Sequence, residues 1–378
     1  MFSPTDTEFM RQALDLAARG LFTTDPNPRV GCLIVDHGTI VGEGWHEKAG
    51  EAHAEVLALA KAGDRAASAT AYVTLEPCSH TGRTAPCCDA LIRAGIGRVV
   101  VAMQDPNPLV NGQGIAALRA SGVRVDVGLM AAEAIELNLG FVSRMLRKRP
   151  WVRMKLAASL DGKTALTNRQ SQWITDEPAR ADGHYWRARA SAILTGIGTV
   201  KDDDPQMNVR YLASKRQPRK VLVDSRLEVS PLARMLVDPG VLIVTALDER
   251  SAKPGVWQGL VNAGHRLLSL PNAQGKVDLE ALMQSLAQEG MNELHIEAGY
   301  KLNGSLLREA CVDELLVYLA PRLLGPGMAM FDLQALEQMP GDPVWDFVEH
   351  QSLGRDLRLR LRKIQALQEL GLPRCSKT

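Results

Sequence analysis

The chain is 378 residues long, 46% hydrophobic and 23% charged, with a formal net charge of +1. That length suits two domains of ordinary size, and the balanced charge gives no field to draw in nucleic acid or an anionic membrane. No apolar run approaches the roughly 18 residues that span a bilayer, and the start of the chain lacks the basic end and apolar centre of an export signal, so a cytoplasmic protein without a membrane partner is expected.

From the N-terminus, "MFSPTDTEFMRQALDLAARG" predicts a capped amphipathic helix. "VGCLIVDHGTIVGEGW" (30–45) holds two apolar stretches around Asp36-His37-Gly38, a hairpin signal. "AHAEVLALAKAG" predicts a helix stopped by Gly63, and "ATAYVTLEP" a strand ended by Pro77, which has no N–H for a ladder. A short helix in "CCDALIRAGIG", a strand in "RVVVAMQ", a helix in "GIAALRASG" and a strand in "VRVDVGL" follow. Strands that alternate with helices make this half α/β.

The basic segment "MLRKRP" marks a boundary, so domains are expected at 1–148 and 149–364, with a C-terminal tail at 365–378. Alternation then resumes. Strands are expected in "WVRMKLAAS", "SAILTGI", "KVLVDS", "VLIVTA", "ELHIEAG" and "ELLVYLA", with helices in "DEPARADGHYWRARA" and "LEALMQSLAQEG", so the second half is also α/β. The period-2 pattern of "RDLRLRLRK" (355–363) predicts a strand with Leu357, Leu359 and Leu361 inward and its arginines on a solvated face.

Six cysteines are present: Cys32, Cys78, Cys87, Cys88, Cys311 and Cys375. In a long chain without an export signal, close cysteines point to metal or catalysis before disulfides. His53 and Glu55 start one helix, Cys78 follows a strand and Pro77, and Cys87 starts another helix. One nitrogen and two sulfur ligands suit tetrahedral zinc with a fourth position open to water, whose pKa the metal lowers to about 7. Helix N-termini also favour a thiolate and a carboxylate. The run His53-Ala54-Glu55, Pro77-Cys78, Cys87 matches the signature of zinc deaminases, in which the Glu moves protons and is not a ligand. The cysteine spacing is wider than the common form and leaves Cys88 as a competing third ligand. His80 either lines the pocket or is a solvated loop residue. The remaining cysteines read as small buried or surface thiols. A closed structural zinc site is the alternative, but such a site has no use for an acid/base at Glu55.

The insert "CSHTGRTAPCC" resembles that of the bifunctional riboflavin-biosynthesis deaminase–reductase family, in which a longer loop joins the two zinc cysteines; Ala85 stands where the family commonly has proline. "DPNPRVG", "QDPNPLVNGQG", "KLAASLDGKTAL", "SQWIT", "DDDPQMNVR", "VDSR" and "EAGYKLNGSLL" resemble the same family, in the same order, from about residue 5 to 364. The resemblance implies a cytidine-deaminase-like zinc domain followed by a dihydrofolate-reductase-like domain that uses NADPH. It implies hydrolytic deamination of 2,5-diamino-6-ribosylamino-4(3H)-pyrimidinone 5′-phosphate, with Glu55 moving the protons. Reduction of the ribosyl side chain then gives 5-amino-6-(5-phosphoribitylamino)uracil. Asn27, between Pro26 and Pro28, reads either as a ring contact or as a turn residue.

The residues alone do not name the reductase. "TGIGTVK" (195–201) lacks the third glycine of a dinucleotide fingerprint and reads as chance. In "EAGYKLNGSLLREA" a strand ends at Glu297 and a glycine turn opens a helix, whose first N–H groups can cradle a pyrophosphate; a plain strand–helix turn is the other reading. The resemblance places NADPH contacts at Ala157, Trp173, Thr199, Asp203, Ser225 and the turn Gly299, Tyr300, Lys301, Leu302, Asn303, Gly304 and Ser305. It places substrate contacts at Ser171, Arg187, Met207, Arg210 and Glu297. Arg187 and Arg210 can bind a 5′-phosphate through charge-assisted hydrogen bonds, or be surface arginines. Ser225 and Arg226, after the apolar "KVLV", suit the 2′-phosphate that distinguishes NADPH from NADH. A small-molecule nucleotide substrate and a homo-oligomer are expected. A nucleic-acid (tRNA-type) zinc deaminase with an accessory α/β domain is the rival, and the net charge of +1 argues against it.

Overall fold

The computed structural model describes residues 2–79, 86–338 and 340–372. The expectations for His80, Ala85 and Cys375 lie outside the described residues. The chain divides into two units, Met1–Arg147 and Lys148–Thr378.

In the first unit Ser3 caps the helix Pro4–Ala18: its Oγ accepts from the Asp6 N–H at 3.0 Å, and the Asp6 carboxylate accepts from the Ser3 N–H at 2.8 Å. This reciprocal pair satisfies two donors that a helix start leaves open. The expected hairpin forms as β1 (Gly31–Asp36) and β2 (Thr39–Trp45), followed by β3 (Thr70–Val73), β4 (Arg98–Val101) and β5 (Arg124–Val127). The sheet order is β2-β1-β3-β4-β5; β1 is antiparallel to β2 and β3, and the rest is parallel. Strand β3 stops at Val73, short of Pro77, yet Thr74 still donates to Gly31 and Glu76 to Met103, so the extended chain stays on the sheet. Ile34, Ala58, Val73, Leu91, Val99 and Leu118 belong to its core. The helix Ala54–Ala62 lies directly on the hairpin: a Cβ at Gly42 would sit 2.1 Å from the Ala58 carbonyl oxygen, and one at Gly44 2.4 Å from that of Ala54. These two glycines set the height of the helix that carries Glu55.

The second unit holds β6 (Trp151–Ser159), β7 (Lys163–Leu166), β8 (Ala192–Gly196), β9 (Arg219–Val223), β10 (Leu242–Thr245), β11 (Arg266–Ser269), β12 (Glu293–Ile296), β13 (Glu314–Ala320), β14 (Gly327–Ala329), β15 (Trp345–Leu353) and β16 (Asp356–Lys363). Nine of them form one sheet in the order β11-β10-β9-β8-β12-β6-β13-β16-β15, while β7 and β14 pair separately. The run from β11 to β13 is parallel, and β16 and β15 close the edge antiparallel. Val152, Met154, Val221, Leu294 and Ile296 pack on one face with Leu282, Leu286 and Leu306 from helices. Ile364, the last residue of the expected second domain, and the first residues of the expected tail form the helix Ile364–Glu369, with Ile364, Ala366 and Leu367 buried.

One expectation fails. Leu359 and Leu361 of β16 do pack against the core, but the arginines between the leucines are not solvated: Arg358 and Arg362 are only 6% and 5% exposed. Arg362, Arg360 and Arg153 all donate to the Glu314 carboxylate, at 3.1, 3.1 and 2.8 Å, and Arg358 donates to Asp182 at 2.7 Å. The guanidinium carbons of Arg153, Arg360 and Arg358 lie 4.3, 4.8 and 5.7 Å from the Trp186 ring centre, on the helix Glu177–Arg189. Alternation says that the two faces of a strand differ. It does not say which one is covered, and here tryptophan and carboxylates from distant segments make the arginine face internal.

Candidate active sites

In the first unit His53 precedes the helix Ala54–Ala62 in extended backbone, Cys78 follows Pro77, and Cys87 begins the helix Cys87–Arg93. A ring nitrogen of His53 and the two sulfurs all lie within 4.8 Å of one another. His53 Nδ1 is 3.2 Å from Cys87 Sγ and 3.7 Å from Cys78 Sγ. Hydrogen bonds from the Cys87 thiol and from His53 hold Cys78 down at about 4 against its burial, while carrying that shared proton pushes Cys87 up. An imidazole and two thiols, one of them easily ionised, meeting at one point fit a soft divalent cation such as Zn2+. Cys88 is turned elsewhere: its thiol donates to the carbonyl oxygens of Pro77 at 3.1 Å and Gly114 at 3.6 Å.

Glu55 stands outside the ligand set, in the first turn of the same helix, and is 3% exposed. Burial pushes its pKa up to about 7, partly offset by its own backbone N–H. A carboxyl that exchanges its proton near neutrality suits general acid–base work.

Two residues that sequence reading missed support this pocket. His46 is buried with its ring edge-on to His53, 5.6 Å between centres. Its Nδ1 lies 3.1 Å from the Ala52 carbonyl oxygen and so carries the proton, which leaves Nε2 to accept from Asn27 Nδ2 at 3.0 Å. The amide end of Asn27 is thereby fixed. Glu76, buried two residues before Cys78, accepts from the backbone N–H groups of Asp105, Gly112, Gly114 and Ile115 at 3.1, 2.9, 2.9 and 3.2 Å. It ties the segment 105–115 to the strand end that bears the ligand. An acidic residue inside an apolar strand run was the available signal.

In the second unit Arg187, on the helix Glu177–Arg189, meets Glu297 just past β12. Arg187 Nη2 donates to Glu297 Oε2 at 2.7 Å, its Nε to Oε1, and Nη1 to the Asn208 carbonyl oxygen at 2.9 Å. Burial alone would raise Glu297, but Arg187, His295 and Lys155 hold it well below the carboxylate range. Lys155, in β6, was read only as part of a strand; burial lowers its pKa, with Glu297 opposing.

The expected contacts fall into groups. The Ser171 hydroxyl donates to Asp203 at 3.1 Å. A Cβ on Gly299 would lie 3.6 Å from the Thr199 hydroxyl, and one on Gly196 only 2.9 Å from Leu302 Cδ2, so the turns after β8 and β12 abut. The Gly-x-Gly there does open a helix, Ile197–Asp203, with Gly196 chosen by the close approach of Leu302. The helix Tyr300–Arg308 has no side-chain cap, so its first amides are open to a pyrophosphate, and the missing Cβ at Gly299 clears the approach. This arrangement fits the diphosphate of NADPH. Lys301 is exposed and its ammonium lies 5.9 Å from the Tyr300 ring centre. Other members of the turn serve packing: Asn303 donates to Ala298 at 3.0 Å, a Cβ on Gly304 would meet the Asp332 carbonyl oxygen at 2.3 Å, and Ser305 accepts from Arg308 at 3.0 Å. Trp173 is 62% exposed beneath the Arg180 guanidinium, Ala157 is half-buried in β6, and Met207 is buried at a positive φ of 50°. Ser225 accepts from the Val277 N–H at 3.3 Å, Arg226 is exposed, and Asp224 is buried, accepting from Val229 at 2.8 Å.

Two family models match the chain: the cytidine and deoxycytidylate deaminase zinc-binding region over residues 3–103 and the RibD C-terminal domain over residues 150–359. Riboflavin biosynthesis protein RibD of Escherichia coli (strain K12) is 46% identical, over 94% of this chain and 99% of its own; that of Aquifex aeolicus (strain VF5) is 39% identical over 98% of each. Among solved structures, Acinetobacter baumannii RibD (form 1) aligns at 42% identity and a TM-score of 0.88, covering 96% of this chain and 99% of its own. A Thermotoga maritima diaminohydroxyphosphoribosylaminopyrimidine deaminase/5-amino-6-(5-phosphoribosylamino)uracil reductase aligns at 31% and 0.84, covering 95% and 99%. Matches of this length across both units do not favour the nucleic-acid deaminase.

Proposed function

The chain belongs to the RibD family of riboflavin-biosynthesis enzymes, and on that premise we propose that the His53–Cys78–Cys87 pocket carries its deaminase reaction and the Arg187–Glu297 cluster its reductase reaction. The enzyme is bifunctional and uses Zn2+ and NADPH. As a hydrolase it releases ammonia from 2,5-diamino-6-ribosylamino-4(3H)-pyrimidinone 5′-phosphate; as an oxidoreductase it reduces the ribosyl side chain to give 5-amino-6-(5-phosphoribitylamino)uracil.

His53 Nδ1 and the sulfurs of Cys78 and Cys87 hold the zinc, which when bound supplies a Lewis acid that makes water acidic near neutral pH. Glu55 takes one proton of the attacking water and gives it to the pyrimidine ring, then carries the second, from the added hydroxyl, to the departing amine. Asn27, oriented by His46, contacts the ring. The observation that carries this reading is the separation of roles: one nitrogen and two sulfurs converge within 4.8 Å, and a buried carboxyl with a pKa of about 7 stands beside them.

In the second unit NADPH supplies the hydride. Thr199 and the open amides from Gly299 onward hold its diphosphate, with Ala157, Trp173, Asp203 and Ser225 as further contacts. Arg187 and Arg210 hold the substrate phosphate, with Ser171, Met207 and Glu297 lining the substrate side. Lys155, made a readier acid by burial, gives a proton to the ring oxygen as the ribose opens. A coupled assay tests the whole: ammonia release from the diaminopyrimidine followed by NADPH oxidation. Ammonia release without NADPH oxidation would remove the reductase half.

The units 1–148 and 149–364 act as separate catalytic domains. The assembly is a homo-oligomer whose subunits meet at the edge strand β15, where Phe347 and, just before the strand, Val344 are 64% and 60% exposed. Sedimentation of Phe347→Glu tests that contact, a smaller species being expected. The protein works in the cytoplasm on a small nucleotide, without nucleic-acid or membrane partners; no helix among the described residues is long and apolar enough to cross a membrane.

A further inference from the structure

His184 lies one helical turn before Arg187 and is 5% exposed. Its Nδ1 accepts from the backbone N–H of Arg210 at 3.1 Å. A backbone N–H only donates, so Nδ1 carries no proton. Burial and the nearby positive charges of Arg187, Arg210 and Lys155, opposed by Glu297, hold the imidazole at about 4, so the ring is neutral at working pH. Its single proton therefore sits on Nε2. Nε2 stands 3.4 Å from Arg187 Nη1. A guanidinium nitrogen only donates, so two donors face each other. An oxyanion placed against both relieves that opposition. The remaining contacts fix the two partners: Glu297 and the Asn208 carbonyl grip Arg187, and the Tyr211 ring lies 4.8 Å from the imidazole.

We propose that His184 is the third member of the substrate-phosphate clamp: Nδ1 anchors the main chain of Arg210, and Nε2–H joins Arg187 as a donor to the 5′-phosphate. This rests on the reading that Arg187 and Arg210 hold that phosphate. It gives His184 two separable duties, one for each ring nitrogen. An asparagine amide can reproduce the acceptor near Nδ1 and a glutamine amide the donor near Nε2, whereas phenylalanine keeps the ring shape and loses both.

The test is steady-state reduction by the full chain, with NADPH, of the phosphorylated ribosylamino uracil and of its dephosphorylated counterpart. His184→Phe, His184→Asn, His184→Gln and Arg210→Ala are compared with wild type, and ammonia release by the other unit serves as the check on intact protein. Loss of a hydrogen bond to a charged group is worth about ten- to a hundredfold. His184→Phe is expected to raise KM for the phosphorylated substrate by that factor, with kcat changed far less and KM for the dephosphorylated substrate unmoved. His184→Asn and His184→Gln should each recover part of the loss. An equal rise in KM for both substrates in all three His184 variants, with Arg210→Ala still selective for the phosphate, would leave the arginine clamp standing and overturn the role of His184. If Arg210→Ala also fails to discriminate between the substrates, the clamp itself falls, and this inference with it.

Discussion

The pocket of the first unit and the charged clusters of the second both bury ionisable groups, but over different lengths of chain. His53 and Cys87 are 34 residues apart, whereas Arg187 and Glu297 are 110 apart and Arg358 and Asp182 176 apart. In the first unit one nitrogen and two sulfurs converge on a single point that suits a cation. In the second, arginines and carboxylates answer one another. A local motif announces its chemistry in sequence; a distributed cluster exists only after the sheet has brought its strands side by side.

The sharpest test of that difference is the removal of one ligand. Cys78→Ser and Cys87→Ser are each expected to lose the zinc and the deaminase activity together, while Cys88→Ser keeps both, as metal analysis alongside ammonia release would show. Metal loss in Cys88→Ser but not in Cys87→Ser would break the ligand assignment. Next in size is Glu55→Gln, which leaves every ligand in place. Deamination should fall about 10²–10⁴-fold with zinc retained, the scale of general acid–base catalysis. Near-normal turnover would remove Glu55 from the chemistry.

The zinc-type site was legible because its parts follow simple local rules. The strand–Pro77–Cys78 junction, the helix that starts at Cys87 and the helix bearing Glu55 can each be read from a few neighbouring residues. The α/β alternation was legible for the same reason. His46 and Glu76 were not, because their duties depend on Asn27 and on the amides of 105–115, which come close only in the fold. The arginines of β16 were misread because their cover, Trp186 and Glu314, lies 170 and more or 40 and more positions away in sequence; in the Glu314–Arg362 pair the separation is 48. Lys155 was hidden in an apolar-looking strand, and only its neighbours Glu297 and Arg187 mark it as more than a strand residue.

The buried charge around β16, away from the Arg187–Glu297 cluster, should then act on stability more than on chemistry. Glu314→Gln leaves Arg153, Arg360 and Arg362 without their shared carboxylate. Removing one partner of a buried ion pair typically costs about 3–5 kcal/mol, so a clear drop in the denaturant midpoint is expected. An unchanged midpoint would mean that the arginine belt is dispensable.

Smaller effects sharpen the comparison at the periphery of each unit. Arg226→Ala should weaken NADPH about ten- to a hundredfold and leave NADH nearly unchanged, the cost of one hydrogen bond to a charged group. Equal weakening of both cofactors in a titration would make Arg226 structural. Asp6 is the mildest case. Burial would raise its pKa, but hydrogen bonds from Arg98, Ser3 and Tyr72 outweigh it and hold the carboxyl below its usual 3.8. A depressed carboxylate stabilises the fold fully above its unfolded pKa and loses that contribution as pH falls toward the folded one. Wild type should therefore exceed Asp6→Asn by about 1–2 kcal/mol at pH 7, and the gap should shrink below about pH 4. A gap independent of pH would assign Asp6 a role in packing alone.

Two sites that work independently on one chain can be tested by mixing. Glu55→Gln full-length protein should keep reduction of the deaminated compound and lose ammonia release; Arg187→Ala should do the reverse. Combined with NADPH and the diaminopyrimidine substrate, the two variants should together make the ribitylamino product that neither makes alone. A mixture that releases ammonia but forms no ribitylamino product, although the Glu55→Gln chain reduces the added intermediate, or a Glu55→Gln chain that has itself lost reduction, would contradict the independence of the two sites.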